Sequence, residues 1–142
     1  MPTRTAEATW KGGLKNGTGS FKGESGAVAA PYSFGTRFES TKGSNPEELL
    51  AAAHASCFSM ALSAELEKAG KPPTSVHTQA ACTIDRAGAG FKITGIKLTA
   101  RAVVPNLDDA TFQTIAQGAK TGCPVSQALQ GNLTIELDAK LE

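Results

Sequence analysis

The stretch from Leu49 to Ala64 contains no Asp, Glu, Lys or Arg, and it lies between an unusually clear start and stop for a helix. Asn45 is a good N-cap and Pro46 suits the first helical position. Glu47 and Glu48 sit at the positive end of the helix dipole. Gly70, followed by Pro72 and Pro73, ends the segment. Every side of the helix is apolar or small, so the pattern predicts a helix buried all round, with alanines and serines that let other backbones come close.

The flanking segments read as strands. Thr5 to Trp10 is the first and Leu14 to Phe21 a second, weakened by Asn16, Gly17 and Gly19. Tyr32, Phe34, Thr36 and Phe38 alternate with polar or small residues, which predicts a third strand with Arg37 on the face opposite the aromatics. Beyond the helix, Val76, Thr78, Ala80, Cys82 and Ile84 alternate, and a turn over Arg86–Gly90 leads into a second arm from Phe91 to Val104. The apolar phase of that arm shifts near Gly95, where a bulge is expected. Asp108 caps a helix to about Lys120 with Phe112, Ile115 and Ala116 inward. Gly122-Cys123-Pro124 opens a short helix, and Leu133, Ile135, Leu137 and Leu141 form a closing strand. Strands flank a buried helix rather than alternating with helices, so the expected class is α+β with antiparallel pairing.

The chain has 142 residues, a single-domain length, with a composition of 40% hydrophobic and 19% charged residues that excludes wholesale disorder. Its net charge of +1 supplies no surplus to neutralise phosphates, so no nucleic-acid partner is expected. Residues 1–7 show no secretory h-region, and no run reaches the roughly 18 uninterrupted apolar residues of a membrane span. A cytoplasmic protein with no membrane association is expected.

Function turns on three cysteines, since thiols in a reducing compartment serve as core filler, metal ligands or redox groups. Cys57, in the middle of the uncharged helix, reads by position as a small buried residue, and Cys82 lies on the inward phase of a strand. Cys123 precedes a proline at the start of a helix, where unpaired N–H groups stabilise a thiolate, so a nucleophilic role and a structural one both stand. His54 and Cys57 could share a helix face, but no Cys-x-x-Cys or further histidine cluster completes a zinc site, and His54 is expected to be a hydrogen-bonded buried or interface histidine. Phosphate-binding glycine loops and a Gly-x-Ser-x-Gly elbow are missing.

Arg37-Phe38-Glu39, Gly43-x-Asn45-Pro46-Glu47-Glu48-Leu49, Ala52-Ala53-His54-Ala55-Ser56-Cys57-Phe58-Ser59-Met60-Ala61-Leu62 and Gly122-Cys123-Pro124-Val125-Ser126 together resemble the osmotically inducible protein C (OsmC) family. The likeness runs over essentially the whole chain, including the Trp10 strand and the Glu24-Ser25-Gly26 turn. The Ala-His-x-x-Cys-Phe-Ser-Met form is closer to the OsmC branch than to the sister organic hydroperoxide resistance (Ohr) branch. The resemblance implies one OsmC-like domain over residues 1–142, with antiparallel sheets wrapped around the helix in an intertwined homodimer. It implies a thiol peroxidase that reduces organic hydroperoxides to alcohols, without metal, haem or flavin. Cys57 would be the peroxidatic thiolate, Cys123 the resolving thiol that closes a Cys57–Cys123 disulfide, and Arg37 with Glu47 the activating pair. A dithiol or lipoyl-bearing reductant would recycle the disulfide.

Physical chemistry fits these roles. A buried cysteine, with an ordinary pKa near 8.5, needs a permanent cation to ionise at neutral pH. Arg37 is such a cation, and Glu47 can hold its planar fork. Glu47 and Cys57 are ten residues apart, roughly 15 Å along one helix, so a glutamate serving Cys57 through Arg37 would come from a second chain. Apolar residues such as Phe58, Met60 and Leu62 are expected to favour bulky hydroperoxides. The alternative is a non-enzymatic dimer whose cysteine pair senses oxidants or binds an apolar ligand. A general disulfide oxidoreductase is disfavoured, because Cys57 and Cys123 stand 66 residues apart rather than in a Cys-x-x-Cys motif.

Overall fold

The computed structural model describes residues 1–142 and divides into two units, Met1–Leu49 and Leu50–Glu142. The first holds strands β1 (Ala6–Lys11), β2 (Thr18–Gly23) and β3 (Ala29–Tyr32) in an antiparallel meander, followed by a short helix α1 (Phe34–Phe38). Trp10 and Phe21 both pack against Tyr32, with ring centroids 5.4 and 5.7 Å away. β2 starts later than its apolar residues suggest. Gly12 takes a left-handed conformation, the Gly17 amide bonds the Gly13 carbonyl, and Leu14 is left exposed in the resulting turn.

The expected strand over Tyr32–Phe38 is instead a helix beyond Tyr32. Ser33 accepts a hydrogen bond from the Thr36 amide while the Thr36 hydroxyl accepts one from the Ser33 amide, a reciprocal capping box that commits the chain to helix. Phe34 and Phe38, read as alternate strand positions, are helix neighbours one turn apart with ring centroids at 5.0 Å. A spacing of four satisfies both periods, and the cap decides between them.

Helix α2 (Pro46–Lys68) starts in the first unit and continues through the second. Asn45 accepts from the Glu48 amide, and Gly70, at φ +74°, closes the far end. There Lys71 N–H bonds the Leu66 carbonyl and Gly70 N–H the Glu67 carbonyl, the paired bonds of a Schellman stop. The long antiparallel arms β4 (Ser75–Ala87) and β5 (Gly90–Val103) follow, with the register shift opposite Thr83 and Ile84 that the phase change near Gly95 predicts. Helices α3 (Asp109–Gly122) and α4 (Pro124–Leu129) lead to β6 (Thr134–Leu141). Asp108 caps α3 through the Thr111 amide, and Phe112, Ala116 and Ala119 are its buried residues.

Two expectations are corrected. β6 pairs with β5 in parallel, not antiparallel, because two helices carry the chain back to the end of the sheet where β5 began. Within one chain, α2 is buried on a single face only. His54, Phe58, Leu62 and Leu66, each four residues apart, are fully buried, and the three apolar members join a core with Ile96, Leu98, Ala100, Phe112 and Ala116. Ala52, Ala53, Ser56 and Met60 are exposed, Met60 at 75%. By length and composition alone α2 could cross a membrane, but its inward row lies in a packed core and serines interrupt the rest.

Removing the α1 cap by Ser33→Ala should lower stability by about 1 kcal/mol, read as a reduced urea midpoint at unchanged m-value.

Candidate active site

The side chains of interest fall into two groups, one in each unit. In the first unit, α1 presents Arg37 to Glu47, the second residue of α2. Arg37 Nη2 donates to Glu47 Oε1 at 2.8 Å and Nε lies 3.2 and 3.3 Å from the two carboxylate oxygens, so the guanidinium fork grips the carboxylate. Glu47 is buried and Arg37 about one-third exposed. The guanidinium also lies over the Phe38 ring, 5.2 Å from its centroid. Asn45, besides capping α2, donates to the Thr36 carbonyl at 2.8 Å and so ties the end of α1 to the start of α2. Beside Arg37 is a cavity of about 190 Å³ lined by Trp10, Leu14, Tyr32, Phe34 and Phe38.

In the second unit, Cys57 on α2 meets Cys123, the residue that ends α3 and caps α4. Their sulfurs are 2.9 Å apart, and neither is in a disulfide. Closing the bond, at about 2.05 Å, needs an approach of under an ångström. Cys57 is half-buried and Cys123 fully buried. Two thiols this close affect each other's ionisation, and the surrounding groups set the direction in which each moves. Burial pushes the Cys57 thiol up, as does its contact with Cys123, with Val125 acting the other way. Burial also acts against the Cys123 thiolate, but it is outweighed by its polar neighbours, Cys57 and the first turn of α4 at Val125 and Ser126, so Cys123 lies below the ordinary cysteine value. In the field of this chain alone, Cys123 therefore gives up its proton more readily than Cys57.

Behind Cys123, His54 Nε2 lies 2.7 Å from Ser126 Oγ, with both residues buried and His54 Nδ1 without a partner. Burial lowers the His54 pKa and keeps the ring neutral. His54 is thus the buried, hydrogen-bonded histidine expected. Its Nε2 is occupied by Ser126, and its helix neighbour Cys57 by Cys123. Cys82 faces inward on β4 at the core margin. Phe58 and Leu62, expected beside a substrate, are wholly inside the core, and Met60 points away from it. Ser126 was not singled out in the sequence. It lies in the first turn of α4, three residues after Cys123, and its hydroxyl meets His54.

Residues 39–138 match the OsmC-like protein family. The chain belongs to that family. It is 49% identical to peroxiredoxin OsmC of Escherichia coli over 138 residues, covering 96% of both chains. It is 33% identical to the organic hydroperoxide resistance protein of Xanthomonas axonopodis pv. citri over 135 residues, covering 94% of this chain and 92% of that one. Among solved structures, an organic hydroperoxide resistance protein of Elizabethkingia anophelis superposes with a TM-score of 0.77 at 26% identity, covering 99% of both chains.

The lowered His54 pKa has a consequence for stability. Below its ordinary value of 6.5 the unfolded chain takes up a proton that the folded chain resists, so His54 stabilises the fold fully above that pH and progressively less as pH falls toward the folded value. The slope is bounded at about 1.4 kcal/mol per pH unit. The urea midpoint should fall more between pH 7.5 and 5.5 in the native protein than in His54→Gln.

Proposed function

We propose that the protein is a thiol-dependent peroxidase that reduces organic hydroperoxides to alcohols, with Cys57 as the attacking sulfur, Cys123 as the resolving one, and Arg37 and Glu47 as the activating pair. The observation that carries this reading is the 2.9 Å approach of two reduced sulfurs 66 residues apart in sequence, in a chain of the OsmC-like family. Peroxiredoxin and organic hydroperoxide resistance relatives support it.

Attack on a peroxide needs the Cys57 thiolate. Around one chain alone the charge favours Cys123, so Cys57 needs a further cation to become the nucleophile. Arg37 of a second copy supplies it in an intertwined homodimer. The exposed small-residue face of α2, with Ala52, Ala53, Ser56 and Met60, is the surface that such a copy covers. Glu47 holds the guanidinium in one orientation and leaves its remaining N–H groups for the sulfur or the peroxide.

The Cys57 thiolate attacks the terminal peroxide oxygen. The O–O bond breaks, Cys57 becomes a sulfenic acid, and the departing alkoxide takes the Cys123 proton to leave as alcohol. The Cys123 thiolate then attacks the Cys57 sulfur. The S–O bond breaks, hydroxide leaves and is protonated to water from solvent, and the two sulfurs together have supplied the two electrons. A dithiol, free or carried on a lipoyl group, reduces the disulfide by two successive exchanges. The cavity beside Arg37 is apolar and aromatic, suited to the organic half of the substrate. A cytoplasmic location, where such reductants occur, completes the reading.

Steady-state consumption of cumene hydroperoxide with excess dithiothreitol tests the assignment. Cys57→Ser should abolish turnover, Cys82→Ser should retain it, and Cys123→Ser should lose activity within a few cycles. A single equivalent consumed per site by the native protein would mean a sensor instead. The kcat/KM for cumene hydroperoxide should exceed that for hydrogen peroxide, and equal values would remove the role given to the aromatic cavity. Sedimentation should give a dimer; a fully active monomer would overturn the shared site.

A further inference from the structure

Gly19 lies inside β2, the middle strand of its sheet, where a glycine loses more entropy than other residues and packs nothing against its neighbours. The register shows what its bareness permits. Trp10, Gly19 and Tyr32 form one row across the three strands. With no side chain between them, the two rings meet over the glycine, their centroids 5.4 Å apart and their planes inclined at 54°. A β-carbon at Gly19 would stand 2.5 Å from Trp10 Cε3 and 2.6 Å from Tyr32 Cε1, so any side chain there drives the rings apart. The Trp10 indole N–H also bonds the Gly13 carbonyl at 3.3 Å, which sets the orientation of its ring. Trp10 and Tyr32 line the cavity of about 190 Å³ from the sheet, and Phe34 and Phe38 line it from α1. Arg37 is the one charged side chain in that lining.

We propose that Gly19 is a specificity-determining position: by letting Trp10 and Tyr32 close over it, it shapes the cavity beside Arg37 into a slot for one aromatic ring, and so selects hydroperoxides that carry such a ring on the peroxide-bearing carbon. This rests on the placing of Arg37 in the peroxidase site given above. A dry apolar cavity of about 150 Å³ is enough to admit benzene, so the slot has room for one ring and little more. Its lining offers ring faces and edges at several inclinations, the geometry in which aromatic groups attract one another. A ring attached to the carbon that bears the O–O group would enter the slot while the peroxide oxygens stay beside the guanidinium. A methyl group in the same place would leave most of the slot unfilled and forgo those contacts. Gly19 touches no substrate. It acts through the two rings, as a positioning residue.

Cumene hydroperoxide and tert-butyl hydroperoxide provide the test, because both are tertiary and they differ only by a phenyl group in place of a methyl. Steady-state rates with excess dithiothreitol are compared for the two. The native protein should show a kcat/KM about tenfold higher for cumene hydroperoxide, with the difference in KM rather than kcat. Gly19→Ala should bring that ratio close to one by raising KM for cumene hydroperoxide. Trp10→Leu, which keeps Gly19 and an apolar side chain in β1, should do the same, and it carries the test if Gly19→Ala does not fold. Lost stability alone would lower the rates for both substrates alike and leave their ratio as it was. A native ratio near one, or the native ratio retained by a variant that folds, overturns the proposal. Native protein that turns over neither substrate would overturn the underlying peroxidase reading, a result distinct from an unselective peroxidase.

Discussion

The four-residue spacing of His54, Phe58, Leu62 and Leu66 along α2 is the constraint on which the second unit depends. Burying that row against β5 and α3 fixes the rotation of the helix about its axis, and that rotation places Cys57 at the edge of the buried face rather than inside it. One residue further round, the sulfur would lie in the core among Ile96, Leu98 and Phe112, or out with Met60. Half-buried, it keeps a path to solvent while meeting a fully buried partner. The same row carries His54, so one packing face places both Cys57 and the histidine that meets Ser126.

Much of this was legible in the sequence because the deciding signals are local. Asn45, Pro46 and Gly70 mark the ends of α2 by hydrogen bonds that involve only their neighbours, and the phase change in Phe91–Val104 locates the bulge near Gly95. The Tyr32–Phe38 pattern suggests a strand because a four-residue aromatic spacing suits both strand and helix, but the Ser33–Thr36 capping box carries more weight than side-chain alternation. The parallel pairing of β6 was hidden for another reason. Alternating apolar residues say which face of a strand is buried but nothing about its direction, which the α3–α4 connection sets. Arg37, Glu47, Cys57 and Cys123 stood out in the chain as motif residues. Ser126 did not, because its contact is with a histidine 72 residues away.

The two thiols show how little the identity of a residue says about its charge. Both are cysteines and both are desolvated, yet their surroundings move them in opposite directions, Cys57 up and Cys123 down. Cys57 sits mid-helix, where the backbone amides are already committed to carbonyls, whereas Cys123 stands at a break between two helices.

The parallel crossover also bears on when this chemistry first exists during synthesis. Cys123 lies between β5 and β6, and α3 is tied to the closing strand by contacts that include the Gln113 side-chain amide on the Ala139 carbonyl at 2.7 Å. A chain emerging from the ribosome exposes Cys57 and Cys82 long before the strand that anchors the α3–α4 segment has been made. Through that interval its thiols lack the neighbour that will later pair with Cys57, and they are open to stray oxidation and mispairing. The dithiol is a property of the completed fold, so the newborn protein begins as a consumer of the reducing environment that its finished form helps to defend.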